Sequence, residues 1–165
     1  MSKPSAREVA LDVLTKVERD RSYSNLQLNQ SLQAAQLERV DAALATELVY
    51  GTIQRLNTLD WILEPYVKKG IEKLELWVRV LFRLSVYQLY YLDRIPDHAV
   101  VNEAVELAKA QGHRGVANLV NGVLREVIRS KNARMIPEDL EWLRKISLQH
   151  SHPEWLVSRW DKTYG

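Results

Sequence analysis

Between Lys109 and Arg134 the chain carries six Lys or Arg residues and one Glu, a local net charge of +5 in a protein whose total is +2. At about 100° per residue, Arg114, Asn118, Asn121, Arg125 and Arg129 fall on one stripe of a helix. Val116, Leu119, Val120, Val123, Leu124, Val127 and Ile128 fall on the opposite face, which predicts a core side. Guanidinium groups one helical turn apart offer forked donors to phosphate oxygens, and Asn amides can address phosphate, sugar or base edges. Such a stripe predicts a polyanion surface, extended at its ends by Lys109, His113, Lys131 and Arg134. The competing reading is an ordinary solvated helix face, since any amphipathic helix shows polar residues opposite apolar ones. The shortage of acid, with Glu126 alone in the segment, argues against a lattice of salt bridges.

The other chemistry-bearing residues point to no reaction. Cysteine is absent, so disulfides, thiolate metal sites and Cys-based catalysis are excluded for these residues, and a reducing compartment fits. No phosphate-binding glycine loop, dinucleotide fingerprint, H-E-x-x-H or G-x-S-x-G motif occurs. His150 and His152 form an H-x-H without carboxylates at ligand spacing, which reads as a surface turn before Pro153 and predicts no metal. His98 and His113 stand at expected helix starts, where capping or solvation accounts for them. Glu75, Arg79 and Arg83 recur at intervals of four and predict an intrahelical ion-pair ladder, with burial beside an acidic helix as the alternative. Tyr87, Tyr90 and Tyr91 offer faces for base stacking, or else pack in the core with their hydroxyls at its rim.

The elements that position these residues are helices throughout. With 165 residues, 46% of them apolar and 27% charged, the chain has the balance of one well-cored globular domain. Ser5 and Glu8 form an S-x-x-E capping box ahead of a helical apolar period, predicting a first helix over 5–19. Ser24 and Gln27 predict a second box, with Leu26 and Leu28 as core contacts. Two helices, or one bent one, are expected over 38–55 and 58–68, with Asn57 as a cap and Gly70 as a stop. Residues 76–92 approach the length of a membrane span, but Arg79, Arg83 and Gln88 would be costly in hydrocarbon, so a buried central helix is expected. Pro96 and Asp97 open the next helix, Gly112 closes it, and the cationic helix follows over 115–130. Nothing alternates as a strand would. The class is all-α, and with no apolar leader in the opening MSKPSAREV the expected location is cytoplasmic.

Several segments together resemble one family. LFRLSVYQLYYLDRIPDHAVVNEAVELAK, followed by ANLVNGVLR, is similar to the NusB-like family of all-helical RNA-binding domains. VYGTIQR at 49–55 and HPEWLVSRW at 152–160 further resemble the N-terminal part of bacterial small-subunit ribosomal RNA cytosine-5 methyltransferases. The resemblance implies a NusB-like helical bundle over 1–131, and a linker with short helices over 132–165 leading toward a catalytic domain. In those enzymes that domain uses S-adenosylmethionine and a nucleophilic Cys. Neither a Cys nor a cofactor motif is present here, so the chain is expected to be a truncated piece with no methyl transfer of its own and no cofactor. It also implies RNA contact by basic residues of the first helix and its arm, at positions matched by Lys3 and Arg7.

The expected partners are therefore ribosomal RNA, met by Lys3, Arg7, Lys109, Arg114, Asn118, Arg125 and Arg129, and the protein's own C-terminal catalytic domain, docked through Trp155 and Trp160. Two other readings stay open. One is a free-standing antitermination factor of the NusB type, for which the Trp-bearing tail has little use. The other is a protein-docking module without affinity for RNA.

Overall fold

The structure, a computed structural model, describes residues 4–131. Lys3, Arg134, His150, His152, Trp155 and Trp160, and the whole expected extension over 132–165, lie outside the described residues.

The chain runs α1 (Ala6–Asp20), α2 (Ser24–Ala35), α3 (Arg39–Gln54), α4 (Leu56–Leu63), two short 3-10 turns (Glu64–Tyr66 and Ile71–Lys73), α5 (Leu76–Tyr91), α6 (Asp97–Gln111) and α7 (Arg114–Lys131). The capping box at α1 forms as expected: Ser5 Oγ accepts from Glu8 N–H, and Ser5 N–H donates to Glu8 Oε1 at 3.2 Å. The second box does not form, because Ser24 is already helical and Tyr23 holds the capping position without a side-chain bond. Of the two leucines expected in the core there, Leu28 is buried and Leu26 is exposed. Asn57 lies inside α4, and the break between α3 and α4 falls at Arg55. Pro65 ends α4 early: it has no N–H for the Trp61 carbonyl, and the chain tightens into a 3-10 turn instead. At Gly70 a φ of 93° reverses the chain toward α5, a conformation that favours glycine.

As its composition predicts, α5 is the core helix. It is buried without interruption from Val80 to Leu89 and packs against α1, α3, α4, α6 and α7. Two of its buried polar residues bond within the helix. Ser85 Oγ donates to the Leu81 carbonyl at 2.8 Å, and Gln88 Nε2 to the Leu84 carbonyl at 3.1 Å. Arg83, whose side chain is 8% exposed, forms no ladder with Glu75; it holds both carboxylate oxygens of Asp60 on α4, at 2.8 and 3.0 Å. Glu18 of α1 stands 4.0 Å from its other nitrogen. Arg79 turns back to the carbonyls of Leu74 and Glu72. The expected intrahelical pairing thus gives way to interhelical pairing, because Arg83 sits on the side of α5 that faces α4 and α1 and must be neutralised where it is buried.

Candidate nucleic-acid interface

On α7 the apolar and polar stripes separate much as their spacing predicts, with Ala117, Val120, Val123, Leu124 and Val127 buried. Leu119 is a correction: it is 43% exposed, and small Ala117 takes the place against α6. Arg114, Asn118, Arg125 and Arg129 are exposed, while Asn121 is half-buried. Their partners differ. Arg129 Nη1 lies 2.8 Å from Glu126, Lys109 Nζ 3.6 Å from Glu106, and Lys131 Nζ 3.3 Å from Asp97 on α6. Arg125 meets no carboxylate among the described residues and donates through Nε to Asn121 Oδ1 at 2.9 Å. Arg114 has no ion pair among the described residues. The expectation of a stripe free of salt bridges therefore holds for Arg114 and Arg125 only. The acids that changed it for Lys109 and Lys131 come from α6, which the α7 period cannot reveal.

Two helices build a site here. A cleft of about 310 Å³ runs between α6 and α7, lined by Asn102, Glu106 and Lys109 on one wall and Asn118 and Asn121 on the other. Lys109 and Asn118, expected from the sequence, thus share one wall-to-wall site, with Arg125 bonded to its Asn121 rim. Asn102 was missed; its signal was present in the i, i+4, i+7 spacing of Asn102, Glu106 and Lys109 on α6. The first turn of α7 carries Arg114 and no acid, so the positive end of the helix dipole is left unneutralised beside the cleft. His113 caps that end, accepting the Gly115 N–H on Nδ1 at 3.0 Å, in line with its expected capping role. Arg114 at the unneutralised helix start and Arg125 some three turns further on, about 16 Å away, can each meet an anion, while the amides of Asn102, Asn118 and Asn121 between them can address a polar edge.

Arg7 lies elsewhere. It is half-buried on α1 and donates through Nε to Gln88 Oε1 of α5 at 2.7 Å, which makes it a brace for the core helix. Nearby, Ser5 Oγ donates to Glu103 on α6 at 3.1 Å, tying the start of α1 to the neighbouring stripe of the helix that carries Asn102 and Lys109.

Tyr87 is core, as one of the two readings predicted, with its ring 5.5 Å from that of Tyr91 at an interplanar angle of 25°. Burial pushes both phenols above their ordinary value, and Glu47 adds to the shift at Tyr87. The Arg55 guanidinium lies 4.2 Å over the Tyr91 ring. Among the described residues there is no strand, and no cluster of three potential metal ligands occurs. No helix there is long and apolar enough to cross a membrane.

The bundle of the described residues, all-helical and wrapped around one buried helix, is a fold seen before. The fold is that of NusB from T. maritima, which matches with a TM-score of 0.71 over 78% of this chain and 93% of that one, at 24% identity. NusB in a complex of the antitermination factors NusB and NusE with double-stranded RNA matches with a TM-score of 0.71 at 22% identity, over 76% of this chain and 94% of that one. The NusB family model matches residues 4–129, and the chain belongs to the NusB family. Among curated relatives, a probable ribosomal RNA small subunit methyltransferase B of Bacillus subtilis is 44% identical over all 165 residues. Its counterpart in Synechocystis is 39% identical over 163. This chain spans 36% of the length of each.

Proposed function

We propose that the chain is the RNA-gripping, substrate-positioning domain of a small-subunit ribosomal RNA cytosine-5 methyltransferase. What carries this reading is where the similarity extends. The solved NusB structures cover between 76% and 83% of the chain, and the family model stops at residue 129. The likeness to the Bacillus subtilis relative continues through the remaining residues to 165. A free-standing antitermination factor has little need of that continuation. In this reading, methyl transfer and S-adenosylmethionine belong to sequence that the relatives have and this chain does not span. The catalytic domain is the second partner, with Trp155 and Trp160 as its contacts.

The RNA is held at the α6–α7 surface. Arg114 and Arg125 meet phosphates, while Lys109, Asn102, Asn118 and Asn121 line the cleft that receives the adjoining sugar or base edge. Binding is then salt-dependent, with a slope of about 0.7 per phosphate contact on single strands. Fluorescence anisotropy with a labelled fragment of small-subunit ribosomal RNA tests the assignment across a salt series. Reversing charge at Arg114 and Arg125 should weaken binding by more than about tenfold and flatten the slope by one to two contacts' worth. Unchanged affinity and slope would remove the α6–α7 surface from the site.

A further inference from the structure

The α6–α7 cleft contains one residue that phosphate contact does not explain. Glu106 puts a carboxylate into a cleft whose other polar lining residues are Lys109 and the amides of Asn102, Asn118 and Asn121. Packing does not account for it, since its side chain is 73% exposed. Its pairing is weak as well: Oε1 stands 3.6 Å from Lys109 Nζ, beyond hydrogen-bonding distance, whereas Glu126 on α7 meets Arg129 at 2.8 Å. A carboxylate repels phosphate, so at a polyanion surface it weakens the hold on every strand unless the ligand brings donors to it. In RNA those donors are ribose hydroxyls and the N–H groups of base edges, and only the latter come two side by side.

Across the cleft the polarity of the Asn121 amide is set. Arg125 Nε can only donate, so the atom it meets at 2.9 Å is Oδ1, and the other arm of the half-buried amide is the Nδ2 donor. The cleft therefore pairs a carboxylate, with its two acceptor oxygens, on the α6 wall with an amide donor on the α7 wall. Half-buried Val105 and buried Ala117 supply its apolar lining. A volume of about 310 Å³ stands at the lower end for a small-molecule site, the scale of a single base.

Guanine matches this arrangement. Its Watson–Crick edge presents the O6 acceptor followed by the N1–H and N2–H donors, so one carboxylate can accept both donors while an amide N–H reaches O6. Adenine and cytosine each present one amino group beside a ring acceptor, and uracil presents one N–H between two carbonyls, of which one must face the carboxylate.

We propose that the α6–α7 cleft reads one unpaired guanine of the bound RNA, with Glu106 accepting from N1–H and N2–H and Asn121 donating to O6. The proposal rests on the RNA-binding reading above, and its test separates the two. Inosine is guanosine without the N2 amino group. Anisotropy measures the affinity of the full chain for a strand of about twelve nucleotides with guanosine at every third position among uridines, and for the same strand with inosine in those places. The wild type should bind the guanosine strand roughly tenfold more tightly, the worth of a good base-edge contact. In Glu106→Ala, at an exposed helical position where alanine is well tolerated, that ratio should fall nearly to unity. Because the ratio compares two ligands on one protein, partial loss of folded material cancels from it. If Glu106 is only an unfavourable charge, its removal tightens both strands alike and leaves the ratio where it was, which overturns the guanine site. A wild-type ratio near unity overturns it too, while leaving the phosphate contacts of Arg114 and Arg125 standing. Absence of salt-dependent binding to either strand by the wild type overturns both.

Discussion

Helices α5 and α7 each interrupt an apolar sequence with arginines, and the outcomes are opposite. On α5, Arg83 is enclosed by α1 and α4 and meets Asp60 through two hydrogen bonds, with Glu18 behind. On α7, Arg114 and Arg125 face outward with no carboxylate among the described residues. The residue type is the same; what differs is whether its angular position on the helix points at another element. A guanidinium that does must be neutralised by the fold, and one that does not is available to a ligand.

That contrast can be broken from either side. The largest effect is expected for Arg83→Ala, which strands the Asp60 carboxylate at a helix interface and should cost about 3 kcal/mol in urea unfolding. A loss no greater than that of an exposed arginine would mean that burial is not what distinguishes the two. Gly51→Ala drives a methyl into the Tyr87 phenol and should cost about 2 kcal/mol. Adding Tyr87→Leu in the same chain should restore part of that stability, since the ring atoms Cζ and Cε1 that the methyl meets are then gone. Ser5→Ala removes the cap of α1 and its bond to Glu103, for about 1 kcal/mol, read as a lower Tm. On the other side, Arg125→Gln should change unfolding free energy by less than about 0.5 kcal/mol while weakening RNA binding, the mirror image of Arg83→Ala.

A smaller effect concerns pH. The buried phenols of Tyr87 and Tyr91 are pushed above the ordinary tyrosine value of about 10. The folded state holds their protons more firmly than the unfolded chain. Their contribution is complete below that ordinary value and declines as pH rises through the higher folded one. Thermal melts above about pH 10 should show this decline, and Tyr87→Phe should lessen it.

Much was legible before any packing was known. The all-helical class, the Ser5–Glu8 box, the central position of α5 and the two faces of α7 follow from local spacing, because a helix repeats every 3.6 residues and its period appears within a short window. The family likeness added the arrangement of the bundle and the link to ribosomal RNA methyltransferases. Misses cluster at element ends, at Ser24, Asn57 and Pro65, where a neighbouring residue takes the cap or the break instead, and at residues whose role depends on a distant partner. Leu119 shows the limit within an element: placed on the core face by its spacing, it stands exposed at the edge of the apolar stripe, while Ala117 at the other edge is buried.

Partners separated along the chain have no local signal. Arg83 with Asp60, Arg7 with Gln88, Lys131 with Asp97 and Arg55 on Tyr91 are joined across 23, 81, 34 and 36 residues. The periodicity of one helix states which side chains point outward from it and not what waits there. Helix packing brings those side chains together, and it separates the arginines that hold the bundle from those left exposed.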